Sequence, residues 1–131
     1  MSEHEATVNV TAPSSAVFAV AADVRRLPEW LPTVEQSRTL PDGEVHVEGD
    51  ARSGHYESEG FWRPSPDQLR VEWGTPSRGG EGGGYAGWLQ VHDRADGGSD
   101  VTAHLSFFEQ DAPSSVDEDL ERSLEALARR V

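Results

Sequence analysis

A chain of 131 residues has room for one domain with a single sizeable core. Its 24 acidic and 11 basic residues, every basic one an arginine, give a net charge of −13, and such a surface repels nucleic-acid phosphates and anionic lipid heads. It has no cysteine, which excludes disulfides, thiolate ligands and a cysteine nucleophile, and no apolar run of the roughly 18 residues that a membrane helix needs.

Met1 to Glu5 is acidic and polar, without the pattern of a secretory signal, so a cytoplasmic location is expected and His4 falls in a frayed end. Ala6 to Val10 alternates small or apolar with polar residues, the period-2 pattern of a half-buried strand. Pro13 then stands where a helix can begin, since the first helical positions need no N–H donor. Val17, Val20 and Ala21 recur at i, i+3 and i+4, with Phe18 beside them, and share one helix face. Asp23 can cap a second short turn, Val24 to Leu27. Pro28 is expected to end that turn, leaving Trp30 and Leu31 on a stiff, non-helical segment between Pro28 and Pro32.

Val34 to Leu40 is a weaker strand, and Pro41-Asp42-Gly43 is a turn. Glu44 to Glu48 alternates, with Val45 and Val47 on one face. Ser53-Gly54 is the next turn, His55 to Trp62 the next strand, and Arg63 to Asp67, with two prolines, is expected to break it. Gln68 to Trp73 places Leu69, Val71 and Trp73 on one side. Five glycines among residues 79–84 form the longest interruption, read as a flexible loop or a cavity lid. Tyr85 to His92 puts Tyr85, Leu89 and Val91 on one face. After the hairpin loop Ala95 to Ser99, the strand Val101 to Glu109 aligns Val101, Ala103, Leu105 and Phe107.

A helix, Val116 to Val131, closes the chain. Ser115 and Glu118 form a capping box, and acids at its start and arginines at its end complement the helix dipole. Val116, Leu120, Leu124, Leu127 and Val131 form one apolar stripe. The order of strand, two short helices, six strands and one long helix predicts an α+β fold in one domain over residues 1–131. It is a seven-stranded curved antiparallel sheet whose one face the terminal helix covers.

Chemistry is sparse in the pattern. The histidines lie on separate strands with no metal-ligand spacing, so no metal and no cofactor are expected. Glu57 and Glu59 share an outer strand face, and the glycine run lacks the ending of a phosphate loop. Rings are the stronger signal: four tryptophans, four phenylalanines and two tyrosines in a small domain. They suit a core, and equally a cavity between sheet and helix.

An apolar strand, Ala12-Pro13, Val17-Phe18, Ala22-Asp23, Pro28-Glu29-Trp30 and Pro32 two residues before Val34 together resemble the START-like superfamily. The branch most resembled is that of the bacterial polyketide cyclase/dehydrase-type and lipid-transport-type domains, which share the birch-pollen-allergen fold. The resemblance implies a helix-grip fold with a cavity whose mouth lies near Trp30 and the turns around residues 53, 79 and 112. It implies a carrier or sensor of a small hydrophobic molecule of lipid, aromatic polyketide or isoprenoid type. A polyketide aromatase/cyclase or dehydratase, with Tyr56, Tyr85 or His104 moving protons, stays open, as does a protein-interaction module with a filled core. The expected ligand-binding residues are Trp30, Tyr56, Leu69, Val71, Trp73, Tyr85, Leu89, Ala103, Leu105, Leu120 and Leu124, with Tyr56 placed inward. The expected partner is the small molecule, not nucleic acid, and the chain is expected to be a monomer or homodimer.

Overall fold

A computed structural model describes residues 2–32, 34–51, 54–74, 84–108 and 116–131, with the side chains of residues 51 and 56 excepted. Its seven strands form one antiparallel sheet: β1 (Ser2–Val10), β2 (Val34–Thr39), β3 (Val45–Ala51), β4 (Gly54–Ser65), β5 (Arg70–Gly74), β6 (Gly84–Asp93) and β7 (Ser99–Phe108). The spatial order is β1-β7-β6-β5-β4-β3-β2, so strands two to seven run as a meander and the first strand closes onto the last. Helices α1 (Ser14–Ala21), α2 (Leu27–Trp30) and α3 (Val116–Arg129) complete the helix-grip arrangement that the pattern predicts.

The local reasons are visible residue by residue. The apolar face of α1 is buried through Val17, Phe18, Val20 and Ala21. The stripe of α3 is buried at Val116, Leu120, Leu124 and Leu127. In β6 and β7 the alternation holds through Leu89, Val91, Val101 and Ala103, which are at most 3% exposed. The turn before β3 uses Gly43 at φ +88, and the Asp42 carboxylate accepts the Glu44 N–H at 3.0 Å. The hairpin between β6 and β7 uses Gly97 at φ +91, with Asp96 accepting from the Gly98 N–H. No helix among the described residues is long and apolar enough to cross a membrane.

Five local expectations are corrected. His4 is not frayed: β1 begins at Ser2, pairs with β7 along its whole length, and His4 bonds Asp117 on α3 at 2.9 Å. The Arg63–Asp67 stretch does not break β4 at its start. Arg63 and Pro64 stay in the strand and pair with Glu72 and Val71. The partnership with β3 ends at Gly60, so beyond it β4 is an edge, where a proline's missing N–H costs no ladder bond. Leu69 is not part of β5; it ends the 3-10 turn Pro66–Gln68 at φ +53, its carbonyl accepting from the Val91 N–H at 3.0 Å. Trp30 is helical. Asp23 does cap the 3-10 turn Val24–Arg26, accepting from the Arg25 N–H, but Pro28 then opens α2 instead of ending the segment. Val131 lies past the end of α3 and is 37% exposed. The Ser115 cap, most of the glycine-rich loop, and the turns near 53, 79 and 112 lie outside the described residues.

Candidate functional site: the cavity between sheet and helices

Between the sheet and the helices lies a cavity of about 440 Å³. That is within the range of small-molecule sites. Its walls follow from strand alternation. Val45 and Val47 on β3 stand opposite Gly60 and Ser58 on β4, and all four line it. Further along, Trp62 of β4 and Trp73 of β5 are register partners whose rings stack at 5.9 Å. Tyr85 and Leu89 of β6 continue the wall, followed by Ala103, Leu105 and Phe107 of β7. Leu27, Trp30 and Leu31 close one side, and Leu120 and Leu124 of α3 form the cover.

Glycine shapes this wall at two places. The Trp73 indole lies across Gly87, its register partner, where an added Cβ would meet the ring at 2.6 Å. The Phe61 ring lies over Gly74, where a Cβ would meet it at 2.8 Å. Missing side chains thus leave room for aromatic rings flat against the strands, and the rings become lining.

Among the described residues, the polar groups of the lining are few: Ser58, Tyr85, Asp119, Ser123 and the indole nitrogens. Trp62 donates its Nε1–H to the Ala22 carbonyl at 3.4 Å. Ser123 donates to the Asp119 carbonyl at 2.7 Å. Trp30 is 5% exposed, and its Nε1 is buried with no partner among the described residues.

Of the expected ligand-binding residues, Trp30, Trp73, Tyr85, Leu89, Ala103, Leu105, Leu120 and Leu124 line this one space. Val71 is 1% exposed but belongs to the solid core beside the cavity, and Leu69 packs against that core from its turn. The side chain of Tyr56 lies outside the described residues. Sequence reasoning missed Val45, Val47, Ser58, Phe61, Trp62 and Phe107 as lining, although the valine and β7 alternations already pointed to three of them. It also missed Asp119 and Ser123, which flank Leu120 and Leu124 on α3 and were concealed by a stripe drawn from apolar residues alone.

His104 stands on the outer face. Its ring stacks on Trp88 at 5.2 Å and lies 3.4 Å from both Glu3 and Glu5, so it does not reach the cavity. A second cluster on that face joins β3 and β4. His46 places Nδ1 3.2 Å from Glu59 and Nε2 3.2 Å from Glu48, with Glu57 at 3.5 Å. The Glu48 carboxylate, with that of Glu59, holds the imidazole above its usual pKa. His46 and Glu57 in turn hold the Glu48 carboxyl below its own. Among the described residues His46, Glu48 and Glu57 are the group with the spacing for a metal ion, their ligand atoms lying within 4.8 Å of one another. With carboxylates at both ring nitrogens, however, the geometry is that of a protonated imidazole donating twice, and a metal would have to displace that proton.

A curved sheet gripping a long helix around an apolar cavity defines the class: a START-like helix-grip protein. The chain belongs to the polyketide cyclase/dehydrase and lipid transport family, which it matches over residues 1–131. Membership supports a role in ligand binding or polyketide cyclisation and does not choose between them. Among solved structures, the aromatase/cyclase Zhui from Streptomyces sp. R1128 is similar at a TM-score of 0.81 and 16% identity, over 98% of this chain and 92% of that one. The di-domain aromatase/cyclase BexL of the BE-7585A biosynthetic pathway is similar at 0.79 and 18%; this chain, 98% covered, spans only 46% of it. A START superfamily protein from Mycobacterium smegmatis is similar at 0.75 and 14%, over 98% and 96% of the two chains. At these identities the likeness is one of fold. No curated protein matches the sequence.

Proposed function

We propose that this chain binds a small hydrophobic molecule, of lipid, aromatic polyketide or isoprenoid type, in the cavity, and acts as its carrier or sensor. The observation that carries this reading is the cavity itself: about 440 Å³ walled by aromatic and aliphatic side chains. Burying apolar ligand surface there is favourable by about 25 cal/mol per Å² before the costs of association. An aromatase/cyclase or dehydratase is the second reading, and the presence of Asp119 and Tyr85 in the lining supports it, since such an enzyme must move protons inside its pocket. The spread of those groups, with His104 outside, ranks it below the carrier. A filled-core interaction module fits a cavity of this size poorly. Duplex nucleic acid is not a partner on this reading, given a net charge of −13.

Three of the four tryptophans, Trp30, Trp62 and Trp73, line the space, so an occupant should change their emission. The uncharged dye N-phenyl-1-naphthylamine is expected to bind at micromolar concentration with enhanced fluorescence and altered tryptophan emission. Trp73→Ala should change its affinity. Saturation-free, weak fluorescence that is identical in both proteins would remove the cavity as a binding site.

A further inference from the structure

We infer that the outer groove between α2 and α3 is a second ligand site, one that takes a small organic carboxylate with an apolar body. The groove has a volume of about 280 Å³. One bank is the segment Pro28 to Pro32, and the other is the face of α3 that carries Arg122, Glu125, Ala126 and Arg129. Arg122 and Arg129 share that face because they stand about two turns apart. Among the described residues, only Trp30 and Leu31 line both this groove and the cavity, so they are the wall between the two spaces.

The apolar bank is held in place. Pro28 and Pro32 flank Trp30 and Leu31, and the Leu31 N–H bonds the Leu27 carbonyl at 2.9 Å. Arg26 donates to both Glu29 carboxylate oxygens, at 3.1 and 3.0 Å, and Arg130 donates its Nε–H to the Glu29 carbonyl at 3.3 Å. A bank fixed before binding costs a ligand little in ordering. Arg26 also matches the Glu29 charge, holding that carboxyl below its usual pKa.

That leaves Arg122 and Arg129 against Glu125. Arg25, Arg26, Arg70 and Arg94 each meet a carboxylate at 3.0 to 3.4 Å. Arg129 meets none among the described residues, and Arg122 reaches only Glu118, at 4.0 Å, with both side chains largely exposed. The dipole of α3 accounts for a cation at Arg129, but Arg122 lies too far from the helix end for that. In a chain of net charge −13, two weakly paired guanidiniums facing one glutamate are a local excess of positive charge. A guanidinium offers its N–H donors in a planar fork that fits a carboxylate. Trp30 adds an Nε1–H that is buried without an acceptor, and a carboxylate oxygen is the kind of partner such a donor lacks. Pro28, Pro32, Leu31 and Ala126 supply the surface for the ligand's apolar body.

The test is an NMR titration with 1-naphthylacetate and its neutral analogue 1-naphthaleneacetamide, at low salt and pH 7, with excess N-phenyl-1-naphthylamine present to occupy the cavity. The carboxylate is expected to shift the Ala126 methyl and the Trp30 indole N–H saturably, and to bind about three- to fivefold more tightly than the amide. Arg122→Gln and Arg129→Gln should each shrink that preference, and Arg129→Lys should keep part of it. Arg38→Gln, which removes the same charge from β2 outside the groove, should leave it as it is. Equal affinities for acid and amide would overturn the inference, as would a preference that Arg38→Gln reduces as much as Arg129→Gln does. Shifts at the cavity methyls of Val47 and Leu105 with Ala126 unmoved would place the probe in the cavity and overturn it too. So would the absence of any saturable shift.

Discussion

His46 shows how one residue can tie two strands together and make that tie depend on pH. It is buried on the outer face, with Glu48 beside it on β3 and Glu59 and Glu57 across on β4, while Arg38 on β2 opposes its positive charge. Its pKa is raised in the fold, so the protonated form is the one the fold favours. That contribution is therefore full below the unfolded value of about 6.5 and is lost as pH rises through the higher folded value. Glu48 is shifted the other way, so its share is lost in acid, as pH falls through its depressed value. Thermal melts of wild type and His46→Gln should differ most near pH 6 and converge toward pH 9. A gap that widens with rising pH would contradict the clamp.

Gly87 belongs to the same scale. Its bare Cα lets the Trp73 ring lie against β6, so Gly87→Ala must push that ring toward the cavity. The variant is expected to fold and to bind N-phenyl-1-naphthylamine more weakly, measured in the same fluorescence titration. Unaltered binding by a folded Gly87→Ala protein would mean that Trp73 does not set the cavity's shape. Nothing in a single sequence gave Gly87 this role, because a lone glycine in a strand also suits a bulge.

Among the elements, α3 is the one whose burial was most legible. Spacings of four, four and three put Val116, Leu120, Leu124 and Leu127 on a single face, and that face is the buried one. Leu124 is 1% exposed, so Leu124→Ala should cost about 2–5 kcal/mol, whereas exposed Glu125→Ala should change stability by no more than about 0.5 kcal/mol. Chemical denaturation of the two variants measures the difference, and equal small losses would mean the stripe is not packed. Other elements were misjudged where tertiary context decides. Pro28 reads equally as the end of one turn and the start of the next, and only the Leu31 N–H bonded to the Leu27 carbonyl at 2.9 Å settles it. Pro64 survives inside β4 because the pairing with β3, on the side away from β5, reaches only to Gly60, a fact of pairing and not of composition.

For the whole molecule, strand count, antiparallel order and the covering helix followed from period-2 and period-3.6 patterns together with the START-like motif around Trp30. The cavity did not follow in the same way. Alternation says which side chains face inward, but whether they meet or leave a space depends on sheet curvature and on how far α3 stands off. Hence Val71 and Leu89, partners across β5 and β6 with the same apolar character, part company: Leu89 lines the cavity and Val71 does not. This division between lining and solid core also provides the most direct test. Methyl NMR spectra recorded while N-phenyl-1-naphthylamine is added should show shifts at Val45, Val47, Leu105, Leu120 and Leu124, which line the space. The equally apolar Val91, Val101 and Leu127, buried to 2% exposure or less outside it, should stay nearly still. Shifts confined to surface methyls such as those of Val131, with the lining unmoved at saturating dye, would contradict binding in the cavity.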